Sequence, residues 1–257
     1  MEFNYKKSLG QNFLMDKNKI KQIVDSINVD KNDLIVEIGP GAGAITRQLV
    51  KKDANVICFE IDTRLEKILS EIDSKKLKII YKNFLSINLN DYIDYSNYNK
   101  IIFVGNLPYY ITTAIINKIV DFNHADEIII MVQKEVAERF MASPNSKKYN
   151  SLSIFLQYNF NIKKICDVSK NCFEPIPKVD STVIKFEKHN KYKVKNEKIF
   201  YKLIKDSFTQ KRKNLRNNLK SYDLNKIEEI LNKVNKDLTC RAENLSIEEF
   251  ILISNEL

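Results

Sequence analysis

Residues 34–50 read LIVEIGPGAGAITRQLV, and this stretch decides the fold. A short apolar run holding one acid, Glu37, meets three glycines at Gly39, Gly41 and Gly43, then continues at helical spacing to about Lys52. Strand, glycine turn and helix in that order open a sheet built with helical crossovers. Glycine adopts positive φ readily and lets backbone approach a ligand with no Cβ between them. The whole chain of 257 residues has only five glycines, so three in one turn mark a site.

Working outward, Ile20, Ile23, Val24 and Ile27 share one face of a helix expected over 17–28, with Asp16 as its N-cap. Downstream, NVICFEID, LKIIYKNF, IIFVGNLPYY and DEIIIMVQ read as strands. RLEKILSEID and ITTAIINKIVDF read as helices between them. This alternation predicts an α/β fold, a doubly wound parallel sheet. The texture changes after Lys185: KFEKHNKYKVKNEK is polar and weakly periodic, a linker, and beyond it only helical periods occur. A larger domain over 1–187 and a small C-terminal helical domain over 188–257 are expected.

Composition narrows the function. With 44% apolar and 10% aromatic residues the chain is globular, and no apolar run is long enough to span a membrane. The start, MEFNYKKSLGQNF, lacks the apolar core of a secretory signal, so a cytoplasmic protein is expected. Cys58, Cys166, Cys172 and Cys240 have no CxxC spacing, and His124 and His189 stand alone, so no metal site is expected. A net charge of +9 favours an acidic partner, nucleic acid first.

Two motifs carry chemistry. Glu60 follows Gly39 by 21 residues at the end of the next strand, the spacing of a carboxylate that accepts ribose hydroxyls above the turn. Pro40 removes an N–H that a pyrophosphate would want, which disfavours a nicotinamide cofactor and an oxidoreductase. VEIGPGAG instead fits the pattern of S-adenosylmethionine enzymes, with Glu37 ordering the loop or meeting the cofactor's cationic end. The second motif, Gly105-Asn106-Leu107-Pro108-Tyr109, ends a later strand. Adenine N6 is a poor nucleophile because its lone pair is delocalised into the ring. The Asn106 side-chain oxygen and the Leu107 carbonyl are candidates to accept its two hydrogens. Pro108 fixes the turn, and Tyr109 offers a stacking face for a flipped base.

With these motifs in place, the sequence resembles the ribosomal RNA adenine N6-dimethyltransferases, in the branch acting on small-subunit RNA. The motifs Leu9-Gly10-Gln11-Asn12-Phe13-Leu14, VEIGPGAG, GNLPY, MVQKEVAERF, PIPKVDSTV and RAENLSIEEF occur in the family's order, nearly end to end. The resemblance implies a Rossmann-like S-adenosylmethionine-dependent methyltransferase domain. It implies N6,N6-dimethylation of two adjacent adenosines near the 3′ end of 16S rRNA, in an immature small ribosomal subunit. A monomer is expected. The related large-subunit enzymes that confer macrolide resistance are the nearest alternative, and a non-catalytic ribosome-assembly factor of the same fold is another.

Residue by residue, the resemblance implies that Asn12 and Leu14 cover the cofactor, that Gly39 and Gly41 pass under its amino-acid end, and that Glu60 binds its ribose. Asn83 stands where the family usually has an acid facing the cofactor adenine, and an amide there loses charge assistance. Asn106 is placed at both the cofactor and the target base, and Phe173 is the second aromatic against that base. Asn150 stands where the family has Gly after Tyr149, and Asn tolerates left-handed backbone. The polar loop from Pro144 through Lys147 and Lys148 is expected beside the site and against RNA. Over 209–220 a helix is expected to present Arg212, Arg216 and Lys220 to phosphates, packed by Phe208, Leu215 and Leu219.

Overall fold

The computed structural model describes residues 11–108 and 110–257. Its first elements are β1 (Phe13–Leu14), α1 (Lys17–Asp25), β2 (Leu34–Ile38), α2 (Thr46–Leu49), β3 (Asn55–Glu60), α3 (Glu66–Leu69) and β4 (Leu77–Tyr81). Then come β5 (Ile101–Asn106), α4 (Thr112–Phe122), β6 (Glu127–Gln133), α5 (Lys134–Phe140), α6 (Ser151–Asn159), β7 (Phe160–Val168), β8 (Phe173–Glu174) and β9 (Ser181–Lys188). Last are α7 (Glu197–Ser207), α8 (Leu215–Asn218), α9 (Leu224–Asn232) and α10 (Ile247–Glu256).

Seven strands form one sheet in the order β4-β3-β2-β5-β6-β9-β7, and β1 pairs with β8 apart from it. β4, β3, β2, β5 and β6 run parallel. Every residue of β2 is buried, as are the first five of β5, which is why both read as apolar runs without alternation. The sheet changes its direction of winding between β2 and β5, with β3 and β4 on one side and β6 on the other. Ligands of open α/β sheets bind outside the carboxyl ends of the strands at such a point. The register there sets Ile38 beside Gly105, so the two motifs emerge side by side.

The sheet is not purely parallel: β9 runs antiparallel to β6 and β7 lies beyond it. β9 was hidden by Lys185, which is 7% exposed yet sits in the sheet because its Nζ is 2.9 Å from Glu127 Oε2 on β6 and donates to Ser26 O. Lys100 adds a second cation to the same carboxylate at 2.7 Å, so the buried charge is shared rather than isolated. The expected linker therefore begins after Lys188, the last residue of β9. In 209–220 only Leu215–Asn218 is helical, so Arg212 and Lys220 fall outside the helix and no cationic stripe of three turns forms.

Two compact units emerge, residues 1–137 with 163–188, and residues 138–162 with 189–257. A single boundary at 187/188 misses that residues 138–162 pack with the C-terminal helices. The reason is apolar: Tyr149 and Ile154 are fully buried in a cluster with Phe200, Leu203, Ile227, Leu231 and Phe250. Asn150 is extended rather than left-handed (φ −157°), and it caps α6 by accepting from Leu152 N and Ser153 N. In the first unit the core includes Ile23, Ile27, Ile35, Val56, Ile102 and Ile129. The N-cap at Asp16 is as expected, accepting from Asn18 N and Lys19 N.

One buried group stands out in the second unit. The Tyr149 hydroxyl is shut away from solvent with no hydrogen-bond partner among the described residues. A buried polar group left unmade costs on the order of 1–3 kcal/mol. Tyr149→Phe is therefore expected to raise stability by about 1 kcal/mol or more in urea denaturation; a loss of stability would mean the hydroxyl has a partner.

Candidate active site

The glycine turn is shaped by what covers it. Gly41 has φ +56°, and a Cβ built there would lie 2.8 Å from the Phe13 ring. Any side chain at 41 would have to displace that aromatic. The Gly41 N–H donates to Glu60 Oε2 at 3.0 Å, while Ile61 N and Asp62 N donate to Glu60 Oε1, each at 2.8 Å. Glu60 is buried, and burial raises its pKa while these three N–H groups oppose the rise. A carboxylate has about four acceptor positions. Three are used by the chain itself, which orients Glu60 and leaves about one for an incoming hydroxyl rather than two.

Glu37 lies below the turn. It is 2% exposed, and its Oε2 accepts from Thr46 Oγ1 at 2.7 Å and lies 3.4 Å from Cys58 Sγ. Cys58 is its register partner on β3. The contact with Thr46, the first residue of α2, ties strand to helix across the glycine turn. Burial pushes the Glu37 carboxyl up to about 7, against the two hydrogen bonds, and the Glu60 charge adds to the rise.

The second motif meets the first at close range. A Cβ on Gly105 would lie 2.8 Å from the Leu107 side chain and 3.0 Å from Ile38 O, so only glycine fits there without a shift. Leu107 tucks its side chain inward at 1% exposure. Pro108 O accepts from Ile111 N and from Thr112 Oγ1, closing the turn into α4. The Asn106 Nδ2 donates to Asn12 O at 2.8 Å. Tyr109 lies outside the described residues, as do Leu9 and Gly10.

Two cavities open at this edge. The smaller, about 90 Å³, is lined by Asn12, Gly39, Gly41, Glu60, Asn106, Leu107 and Pro108 among others. The larger, about 680 Å³, shares Phe13, Gly39, Gly41 and Asn106 with it and adds Leu14, Glu37 and Pro40. Residues from four separate stretches of sequence thus converge on one place. Gln11 was missed as a site residue: it lines the small cavity, and its Nε2 donates to Asp62 Oδ2 at 2.8 Å. Asp62 is clamped by Arg64 as well, and the guanidinium, helped by Gln11, holds its carboxyl down to about 2. The second acid of FEID was the signal available in the sequence.

Two expected residues are not brought to either cavity. Asn83 is exposed, and its Oδ1 accepts from Leu85 N as the cap of a short 3₁₀ turn. Phe173 is 3% exposed in the apolar cluster, held there by the pairing of β8 with β1, where it lies opposite Leu14. The basic residues belong to the second unit. Lys211 Nζ donates to Lys147 O at 2.7 Å, and Asn145 is held by Glu243 O and Asn244. The 144–148 loop and the 211–213 turn therefore share one basic patch, although they lie 64 residues apart. Lys148 is paired with Glu138, and Arg216 with Glu228 at 2.7 Å, so neither charge is wholly open to a ligand.

A mostly parallel sheet whose glycine turn, Glu60 and residues 11–14 meet at the switch point is the architecture of a Rossmann-like, S-adenosylmethionine-dependent methyltransferase. The model of the family described as ribosomal RNA adenine dimethylase matches residues 2–257, and the chain belongs to that family. A relative from Phytoplasma australiense named ribosomal RNA small subunit methyltransferase A is 45% identical over 264 residues, spanning 99% of this chain and 92% of its own. A dimethyladenosine transferase from Plasmodium falciparum superposes with a TM-score of 0.78 at 23% identity, covering 93% of this chain and 95% of that one. The 23S rRNA methyltransferase ErmE gives 0.76 at 21% identity, covering 95% and 99%. Among the described residues no group of three or more His, Cys, Asp or Glu is placed to hold a metal ion, and no helix is long and apolar enough to cross a membrane.

Glu37 gives this site a pH signature. Its folded pKa, about 7, lies above the value of 4.5 it has when unperturbed, so the folded state prefers its protonated form. The stability it contributes is complete below 4.5 and is lost as pH rises to about 7. At about 1.36 kcal/mol per unit the loss is on the order of 3 kcal/mol. Glu37→Gln is expected to flatten the fall in stability across this window, measured by urea denaturation at pH 4.5, 6 and 8.

Proposed function

We propose that this protein transfers methyl groups from S-adenosylmethionine to N6 of two adjacent adenosines near the 3′ end of small-subunit rRNA, giving N6,N6-dimethyladenosines. It acts as a monomer on immature small subunits in the cytoplasm. The observation that carries the reading is the shared cavity: Gly39, Gly41 and Glu60 line it together with Asn106, Leu107 and Pro108. The name of the 45% identical relative favours the small subunit, whereas the fold alone is shared with a protein titled for 23S rRNA.

S-adenosylmethionine, when bound, supplies an electrophilic methyl on a sulfonium. The chain's residues do the rest. Glu60 takes a ribose hydroxyl on its remaining acceptor position. Asn106 Oδ1 and the Leu107 carbonyl accept the two N6 hydrogens of the target adenine, drawing the nitrogen lone pair out of the ring and along the methyl's line of approach. Tyr109 is assigned the stacking face from its sequence position after Pro108. As the N–C bond forms and the C–S bond breaks, N6 becomes cationic and sheds a proton readily to solvent, so no strong base is required. Positioning supplies most of the rate. Phosphate contact is assigned to the patch of Lys147, Lys148 and Lys211 with Arg212, and more weakly to Arg216 and Lys220.

The decisive test incubates the protein with labelled cofactor and immature small subunits, with large subunits in parallel, then maps the methylated bases. Label on large-subunit RNA, or on none, would overturn the assignment. Asn106→Ala is expected to cut transfer by about 10²-fold. Cofactor affinity should fall less than about tenfold, the scale of one hydrogen bond. Replacing Lys147 and Lys211 together by Gln should weaken RNA binding, measured by filter binding. The slope of log affinity against log salt should flatten by about one for each phosphate no longer engaged.

A further inference from the structure

The segment over the glycine turn also touches the amide assigned to the target base. An asparagine amide offers an oxygen on one side and an NH2 on the other, nearly alike in size. Opposite the N6 amine of adenine only the oxygen is attractive. The two settings of Asn106 therefore differ in whether the base is accepted at all.

We propose that the backbone carbonyl of Asn12 is the positioning group for the Asn106 amide, so that seating of residues 11–14 converts the site to its base-accepting form. The inference rests on the methyl-transfer reading above. Asn106 Nδ2 donates to Asn12 O at 2.8 Å. The reversed amide would set two oxygens at that distance with no proton between them. The contact thus fixes the NH2 toward Asn12, and planar geometry turns Oδ1 to the other side of the amide carbon.

Asn12 is itself held on both sides. Gln11 Nε2 donates to Asp62 Oδ2 at 2.8 Å, and Asp62 stays ionised through its pair with Arg64 at 2.6 Å. The Phe13 ring rests where a Cβ on Gly41 would be, Leu14 pairs with Phe173, and Met15 N donates to Cys172 O at 2.8 Å. The segment that would cover the cofactor and the group that would accept the base are therefore two ends of one contact. Displacing the segment frees the amide to turn, and the site then also meets adenine with the wrong group.

Two measurements on the full-length protein test this. The first is hydrogen–deuterium exchange of the backbone over 11–16 without RNA. Asn106→Ala should speed exchange there, and Asn106→Asp should speed it further because a carboxylate repels the Asn12 carbonyl; unchanged exchange in both variants overturns the coupling. The second is the rate for Gln11→Ala at saturating cofactor with RNA varied. We expect a maximal rate lowered by about tenfold with the RNA KM within about twofold of the parent. An unchanged maximal rate with only the cofactor KM raised would show a cover and nothing more, and would overturn the proposal. If the parent protein methylates no RNA, the function proposed above fails, while the exchange result still decides whether Asn106 holds the segment.

Discussion

The parallel pairing of β2 with β5, with Ile38 beside Gly105, is the constraint on which the site depends. It brings together two turns separated by 66 residues of sequence, and it does so with the spacing of a backbone hydrogen-bond ladder rather than of side chains. Gly105 is part of the price of that closeness: its missing Cβ leaves room for Ile38 O and for the inward Leu107. Because both strands are buried along nearly their whole length, a slip in register would cost the core as well as the site.

The covering segment obeys the same logic from the other side. Phe13 takes the space above Gly41, Gln11 reaches the acid two residues after Glu60, and Asn12 presents its carbonyl to Asn106. The N–H of Gly41 meanwhile donates to Glu60. The Gly41 contact joins the turn after β2 to the end of β3, while Gln11 and Asn12, just before β1, are tied to the residues that end or follow β3 and β5, so the carboxyl edge of the sheet is stitched together by side chains and backbone atoms in turn. A satisfied network of this kind resists partial change, since removing one member leaves others buried without partners.

What the sequence disclosed, it disclosed through scarcity and spacing. Three glycines in one turn and GNLP after an apolar run stood out because glycine and proline are so rare elsewhere in the chain, and Glu60 stood out by its place 21 residues after Gly39, at the end of the next apolar run. The parallel core strands were legible for a related reason, being buried on both faces. β9 was not, because Lys185 looks like a surface residue until Glu127 is seen beside it across the sheet. The burial of Phe173 was not legible either, since it comes from the pairing of β8 with β1, two short strands far apart in sequence. The expected stripe of cations failed at Gln210–Lys213, where the chain turns instead of continuing a helix, yet Lys147 and Lys211 meet through a hydrogen bond that no periodicity encodes.

The interleaving of the two units has a consequence for the order in which the molecule is made. The chain leaves the first unit at residue 137, returns at 163 and leaves again at 188. During synthesis from the N-terminus, the sheet can therefore be completed once β9 has emerged. Tyr149, Ile154 and Tyr158 emerge before it, but the helices that bury them, α7 to α10, are made only afterwards. For that interval a finished sheet carries an apolar excursion in need of cover. A chain ended at 188 would hold that state permanently, so the helical unit is less an appendage than the lid on a hydrophobic surface created about fifty residues earlier.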